Sequence, residues 1–477
     1  MSSDQKVERV EVAYEPGFEK FVLREKSFTQ QFSHVYSKRT SLMRGMLSEV
    51  ARRQWGPDIP IVSQLIDTES DETRQESILI GIIYKEMELK PSVLDEFKDA
   101  NGIAITVAPV ATNFCSESDV LVVEDESGRM LLTGMAAVTG TLVTGVVLAL
   151  KGHILESGEF EVSDWATALS AIDPGAPAPQ SASGEDAYVM LVSGLAFGET
   201  APAPEAANEP LGGAAFSTEL LGEFLGGRLG GPDDVKLASQ ITRVIVAGNS
   251  IGRPDLCLGE EGTVATAPEK KTTASLKAAA QLKQQNEVVG PLSELDAFLC
   301  SCLSSCPVDL MPGARDPSPR AMPQQPLNEC LLPHSSKFNT LGLTTNPYAA
   351  RLADNVEILG HSGQPVDDLL AMEVVQDGPS HSLDALQMTL QWGHICPTAP
   401  DSLASYPFTD EDPFIITKAP SIYFAGNQDR FEASVQEFPS GHKTTVICVP
   451  DFRKTRDVVL VNLRSLECRV MNFGIQG

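Results

Sequence analysis

Four apolar runs in this chain each end on a glycine-containing loop, an arrangement that presents side chains for chemistry at the edge of a sheet. They are 188–198 (YVMLVSGLAFG), 242–252 (TRVIVAGNSIG), 307–318 (PVDLMPGARDPS) and 421–431 (SIYFAGNQDRF). The first loop, Gly194-Leu195-Ala196, offers no side-chain oxygen or nitrogen. The second, Gly248-Asn249-Ser250-Ile251-Gly252, offers an amide and a hydroxyl. Gly313-Ala314-Arg315-Asp316 sets a fixed positive charge beside one acid, and Gly426-Asn427-Gln428-Asp429 brings two amides and a second acid. A two-metal hydrolase needs several carboxylate and imidazole ligands to hold its cations close together and ionise a bridging water. These loops do not supply that set. Asp316, in a Gly-Ala-Arg-Asp-Pro turn, has a simpler use: a short carboxylate accepting backbone hydrogen bonds braces the loop without any metal.

Other candidate chemistry is equally thin. Cys300, Cys302, Cys306 and Cys330 lack the paired Cys-x-x-Cys knuckles of a structural zinc site, and on a helix over 292–303 the first two point to different faces. Nine irregularly spaced cysteines suit a reducing compartment. Ser193-Gly194 and Ser362-Gly363 lack the full nucleophile elbow, and the glycine-rich 226–231 is not followed by the Lys-Ser/Thr of a phosphate loop. His394 reads as a structural hydrogen-bonding residue; His34, His153, His334, His381 and His442 carry no readable signal. No catalytic, metal-binding or cofactor-binding residue is assigned.

The elements that must hold these loops follow from length and pattern. At 477 residues, 42% of them hydrophobic, two cores are expected. The segment 28–55 has apolar residues at a mostly helical spacing, within an N-terminal helical segment 1–57 that docks on its own protein. Residues 58–172 carry strand patterns at 77–87, 119–124, 129–134, 142–150 and 159–165, expected to close into a small OB-fold barrel. The uncharged 130–150 is long enough to cross a bilayer, but its glycines, threonines and valines read as two twisted strands. A Pro, Ala and Ser-rich stretch reads as a linker, 173–187, and from 188 to 477 strands alternate with helical stretches at 216–229, 273–285 and 292–303. The fold class is α+β: a barrel followed by a layered sandwich with helices outside its sheets.

Charge restricts function. With 64 acids against 36 bases the net charge is −28, which repels a phosphate backbone and favours basic partners. The barrel region has 20 Asp and Glu against 6 Lys and Arg, a net of −14, with few aromatics for base stacking. The N-terminal residues place charges where a secretory signal needs an apolar run.

In order and setting the four loops resemble the calcineurin-like metallophosphoesterase domain, whose loops carry Asp-x-His, Gly-Asp-x-x-Asp, Gly-Asn-His-Asp and Gly-His-x-His around two metal ions. Set against them, this chain keeps the acid at Asp316, replaces the catalytic histidine with Arg315, and has Ser362 at a metal-histidine position with His361 one residue before it. A one-residue shift on a strand aims His361 at the opposite face. More specific runs, TNPY at 345–348, GHSGQPVDD at 360–368, GHICPTAPD at 393–401, DPFI at 412–415, VPDF at 449–452 and VNLRSL at 461–466, with 28–56 near the N-terminus, resemble the small (B) subunit family of replicative DNA polymerase delta. The resemblance implies an OB-fold β-barrel plus a layered αββα calcineurin-like phosphoesterase sandwich without catalytic activity, acting in the nucleus. It also implies partners: the cysteine-rich C-terminal domain of a catalytic subunit, a third subunit, the sliding clamp through the assembly, and polymerase zeta. No membrane and little direct nucleic-acid binding are expected. The rival readings are a divergent phosphoesterase using Asp316, His361 and Asp429, and a free single-strand-binding barrel.

Overall fold

The computed structural model describes residues 8–24, 29–70, 75–90, 113–116, 118–135, 139–175, 186–199, 213–252, 274–353, 355–372 and 382–474. Near the N-terminus lie a short strand, β1 (Tyr14–Pro16), and a long helix, α1 (Ser33–Trp55). Five strands then close a barrel: β2 (Ser77–Glu86), β3 (Val120–Glu124), β4 (Arg129–Thr133), β5 (Val147–Ile154) and β6 (Phe160–Ala166). Its order, β2-β3-β4-β6-β5, closes through a parallel β4–β6 pairing, the Greek-key arrangement of an OB-fold. Leu79, Ile83, Val123, Leu148 and Phe160 fill its interior, while Met43, Leu47 and Val50 of α1 pack on Ile78, Ile80 and Val147 outside.

The remaining strands form two six-stranded sheets. One contains β7 (Tyr188–Val192), β8 (Ile241–Ala247), β9 (Val308–Met311) and β10 (Leu341–Leu343), bounded on its other side by β16 (Asp457–Asn462) and β17 (Cys468–Asn472). The other contains β11 (Tyr348–Leu352), β12 (Val356–His361), β13 (Ile422–Gln428), β14 (Glu432–Glu437) and β15 (Lys443–Pro450), with β1 added at the β11 edge. The parallel strands β7, β8 and β9 are almost wholly apolar because they are covered on both faces. On one side the two sheets meet through Leu191, Ile245, Ile358, Phe424 and Ile447. On the other side of the first sheet lie α2 (Gly213–Leu225), α3 (Pro232–Gln240) and α4 (Ala274–Leu303), which share a core of Leu221, Phe224, Leu237, Leu295 and Leu299. The second sheet is covered by α5 (Gln364–Leu370) and α6 (Ser382–Trp392), and a last short helix, α7 (Phe452–Thr455), precedes β16. This is the layered sandwich, and with the barrel it makes the α+β class that the strand and helix patterns imply.

Several boundaries differ from the sequence expectation. The expected helices at 273–285 and 292–303 are one helix, α4, with Pro291 inside it; proline costs one backbone bond but does not end a helix whose later residues are held by tertiary packing. The expected helix at 216–229 ends at Leu225, and α3, which starts on Pro232 with Asp233 and Asp234 in its first turn, follows as a separate helix. The strand expected at 142–150 begins only at Val147, since Leu142 and Val143 are buried in the barrel core without strand pairing. The N-terminal segment is not only helical, because β1 joins the sandwich. Of the expected linker, 176–185 lies outside the described residues, and Asp173 pairs with the strand-like backbone at Thr417 and Ala419. No described helix is long and apolar enough to cross a membrane.

The barrel and the sandwich share one continuous apolar core, in which Leu79 and Phe160 are grouped with Val366, Leu386 and Tyr423. Two buried cations cross the same boundary. Lys85 of β2 donates to the Met372 carbonyl at 2.9 Å, just past α5. Arg39 of α1 is fully buried; its Nε donates to Asp412 Oδ2 at 2.8 Å and its Nη atoms to the carbonyls of Pro397, Ala399 and Gly145 at 2.7, 2.6 and 3.2 Å. At Gly145 φ is +95°, and a Cβ there would lie 1.9 Å from the Pro397 oxygen, so only glycine permits this approach. His394 completes the group. Its Nδ1 accepts from the Cys396 N–H at 3.1 Å, which places the ring proton on Nε2, and Nε2 donates to Asp412 Oδ2 at 3.0 Å. Burial and the Arg39 charge hold His394 below its ordinary pKa, in keeping with a neutral ring. Burial alone would raise the Asp412 carboxyl, but His394 and Arg39 outweigh it and hold it well below the usual range.

Removing one partner of a buried pair leaves the other charge without compensation. Arg39→Ala is expected to lower stability by about 3–5 kcal/mol, read by urea unfolding of the full chain. A loss below about 1 kcal/mol, the range of an exposed pair, would show that this group does not tie the helix, barrel and sandwich together.

Candidate functional site

The loops after β7, β8, β9 and β13 come together at one edge of the sandwich, joined by the turn after β12 and by Asp451 at the start of α7. Parallel strands ending at one level place their C-terminal loops side by side, which is where ligand sites form in such sheets. Here the described residues of the loops are tied to one another. The backbone N–H groups of Gly194, Ala196 and Phe197 donate to the carbonyls of Gly248, Asn249 and Ser250 at 3.0, 3.1 and 2.8 Å. Asn249 Oδ1 accepts from the Arg315 N–H at 3.0 Å. Asn427 Nδ2 donates to the carbonyls of Ala247 and Ser362 at 3.1 and 2.7 Å, and its own N–H donates to Ser193 Oγ at 2.8 Å. Two side-chain amides thus tie together the ends of four strands, β8, β9, β12 and β13.

Close packing reinforces these bonds. A Cβ on Gly194, where φ is +67°, would lie 2.5 Å from Asp451 Oδ1; one on Gly313 would lie 2.4 Å from the Asn249 nitrogen. Asp451 caps α7, accepting from the Arg453 N–H at 3.0 Å, and burial raises its carboxyl above the ordinary value. Beside the loops Asn346, Gln324, Gln364 and Ser362 form a neutral network: Asn346 Nδ2 reaches Gln324 Oε1 at 2.8 Å and Ser362 Oγ at 2.7 Å, while Gln364 Nε2 reaches Gln324 Oε1 at 2.9 Å. Asn427 Oδ1 and Ser250 Oγ are buried without a protein partner.

The three residues of the rival hydrolase reading have separate partners. Asp316 is fully enclosed, and its two oxygens accept from the N–H groups of Ile251 at 2.9 Å and Gly313 at 2.7 Å, the bracing role its turn suggested. His361 shares a face of β12 with Leu359 and lies edge-on to the Tyr423 ring, so it looks into the core of α6 and the barrel while Ser362 looks toward the loops. Its Nδ1 accepts from Gly363 N–H, and burial lowers its pKa to about 3. Asp429 is exposed and pairs with Lys454 at 3.1 Å. Arg315 lies at the surface against Glu199 at 3.2 Å, with Arg453 at 3.7 Å from the same carboxylate. Among the described residues no group of three or more His, Cys, Asp or Glu is placed to hold a metal ion. Of the cysteines, Cys302 and Cys306 are buried, Cys300 is half-buried and Cys330 exposed; burial pushes the Cys306 thiol up to about 11.

On the barrel, β3 (VLVVE) and β4 (RMLLT) present no aromatic side chain, and their one base, Arg129, is paired with Glu124 at 2.7 Å. The corresponding face of single-strand-binding barrels carries stacking rings and bases.

Comparison with known proteins identifies both parts. Residues 31–165 match the family model described as DNA polymerase delta subunit OB-fold domain, and residues 189–433 match the family model for the B subunit of DNA polymerases alpha and epsilon. Over its whole length the chain is 36% identical to the DNA polymerase delta small subunit of Arabidopsis thaliana, covering 99% of that protein. It is 34% identical to DNA polymerase delta subunit 2 of Drosophila melanogaster, with 98% and 99% of the two chains covered. It is 30% identical to the small subunit of Saccharomyces cerevisiae, with 95% and 91% covered. The chain belongs to the DNA polymerase delta small subunit family. It is therefore a subunit of a replicative polymerase, built from an OB-fold and a layered sandwich.

Sequence reasoning missed Arg39, whose partners lie far along the chain, and Asp451, a local helix cap within the VPDF run, and did not anticipate the amide network, although its Asn346 and Gln364 lie in the TNPY and GHSGQPVDD runs. The loop geometry leads to two expectations. Gly194→Asp, which restores a family ligand type, is expected to lower the melting temperature and still give no stoichiometric metal uptake by elemental analysis, because the side chain must displace Asp451. Tight metal binding by that variant would show that the loops keep a usable cavity. The second concerns Asp316, whose carboxyl burial raises to about 6. The folded state holds this proton more tightly than the unfolded chain, whose value is about 3.9. Its contribution to stability is complete below the lower value and is lost as pH rises through the upper one. Asp316→Asn leaves one N–H without its acceptor and should cost about 1–3 kcal/mol. The gap between wild type and variant should narrow from pH 5 to pH 7 in denaturant titrations; a widening gap would mean that the carboxylate is the favoured form.

Proposed function

We propose that this chain is a non-catalytic accessory subunit of nuclear DNA polymerase delta, a rigid platform that holds the cysteine-rich C-terminal domain of the catalytic subunit together with a third subunit. Through that assembly it works with the sliding clamp, and its sharing with polymerase zeta belongs to the same reading. The observation that carries the proposal is the loop cluster. Asn249, Asn427, Gly194 and Arg315 occupy the positions where a phosphoesterase of this fold keeps its ligands, and their hydrogen bonds close the space between the strands. Without a site, the sandwich contributes surface. Stable subunit interfaces bury on the order of 2,000 Å² or more, and the continuous core joining barrel and sandwich keeps two such surfaces in fixed relation.

The unadorned β3–β4 face and the net charge of −28 argue against a free single-strand binder. Co-expressed with the C-terminal domain of a family-B catalytic subunit, the chain is expected to elute as one complex at micromolar concentration. Separation of the two on size exclusion would sink the platform reading. Titration of the isolated chain with labelled single-stranded DNA at physiological salt should show no micromolar binding; a micromolar or tighter affinity would favour the single-strand-binding alternative.

A further inference from the structure

Beside the loop cluster, on the side of α2 and α4, lies a groove of about 760 Å³ that the site itself does not use. One wall is a face of α2, residues 215, 218, 219, 222 and 223; the other is a face of α4, residues 294, 297, 298 and 301. Both sets follow the i, i+3, i+4, i+7 spacing of a single helical stripe. Ala215, Thr218, Gly222, Ala297 and Ser301 keep the junction of the two walls low, their glutamates stand along the rim, and the bulk is in the floor, where Phe197 from the β7 loop meets Phe298 with ring centroids 5.6 Å apart. Two helices that meet with small residues along their junction leave a furrow into which the ridge of a third helix packs.

The rim gives the charge of the occupant. Glu199, Glu219, Glu223 and Glu294 line it against one base, Arg453. Glu199 is answered by Arg315 and Arg453, and Glu223 by Arg228. Glu219 and Glu294, one on each wall, are exposed and have no cation partner among the described residues. An apolar floor between two uncompensated carboxylates is complementary to a segment with an apolar stripe flanked by cations. The volume falls within the roughly 300–1,000 Å³ of pockets that hold one compact ligand, enough for a few anchoring side chains and too little for a domain. We propose that this groove docks a short amphipathic basic helix of a partner protein, with apolar anchors on Phe197 and Phe298 and lysines or arginines against Glu219 and Glu294. The inference rests on the reading of the chain as a platform for partner subunits and adds a second, peptide-sized docking point to it.

The test uses the full chain and a fluorescein-labelled helical peptide with leucines on one face and lysines on the other, followed by anisotropy at physiological salt. A second peptide has glutamate in place of every lysine. The lysine peptide should bind and the glutamate peptide should not. Glu219→Gln with Glu294→Gln should weaken binding about tenfold, as loss of two charge contacts at a rim does, while a distant pair on the barrel, Glu156→Gln with Glu159→Gln, should change nothing. Gly222→Leu should abolish binding by filling the groove, since a Cβ at Gly222 meets Phe298 and Ser301 only at ordinary contact distances, the nearest at 3.7 Å. Equal weakening by both acid pairs would reveal general attraction to an acidic protein and overturn the proposal. So would binding that appears only after deletion of residues 200–212, which would make the chain's own segment the occupant. Copurification with the catalytic subunit, measured on the same variants, separates the two readings: its failure in wild type counts against the platform, and failure of the peptide alone counts against the groove.

Discussion

A guanidinium with no access to water must find acceptors for its donors from the protein alone, and for Arg39 those acceptors come from three separate parts of the chain. Helix α1 brings the cation, the barrel brings the Gly145 carbonyl, and the sandwich loops bring Asp412, Pro397 and Ala399. None of the three can shift by an ångström without leaving a charged group or a carbonyl unsatisfied in a dry interior. The neutral His394 donates to the same Asp412 oxygen as Arg39, and the Phe414 N–H donates to the other at 3.1 Å, so the anion is also fixed in orientation. Lys85, at a second point of the same boundary, repeats the device with the Met372 carbonyl. Between them runs an apolar core that belongs to barrel and sandwich alike. This dry, polar-pinned boundary holds the barrel and the sandwich to one another.

How much of this could be read from the chain follows from how local each cause is. The strand and loop units beginning at Tyr188, Thr242, Pro307 and Ser421 were legible because β-branched, apolar runs that stop at glycine need no distant partner to be recognised. The barrel strands were legible for the same reason, apart from the start of β5, where burial without pairing gives the same apolar signature as a strand. The expected helices at 273–285 and 292–303 leave 286–291 between them, and the packing of Leu292, Leu295 and Leu299 in the core beyond Pro291, which no local pattern announces, accompanies the single helix α4. Strand β1 is three residues long and exists through its pairing with β11. In the loops the missing ligands were plain from residue type, but the cross-links that replace them were not. Arg39 looks like any other base on an amphipathic helix, and nothing near it in sequence announces Asp412.

On the proposed reading of the sandwich as a phosphoesterase fold without its site, the residue types in the loops and the hydrogen bonds between them are two aspects of one physical change. A phosphoesterase edge stays open because its carboxylates and imidazoles repel or compete unless cations lie among them. Once neutral amides stand there, each can donate to a carbonyl of the neighbouring strand, and Asn427 does so twice. With the repulsion gone, backbone can approach backbone, and Gly194 and Gly313 then sit where any side chain would strike Asp451 or Asn249. The remaining acids are drawn into structural work: Asp316 braces two N–H groups and Asp451 caps a helix. A single ligand introduced at Gly194 or Gly313 would meet Asp451 or Asn249 before it could meet a metal. On that reading the loop edge is a cross-linked part of the platform, and recognition falls to the outer helices and the walls of the barrel, which the Arg39 boundary joins to it.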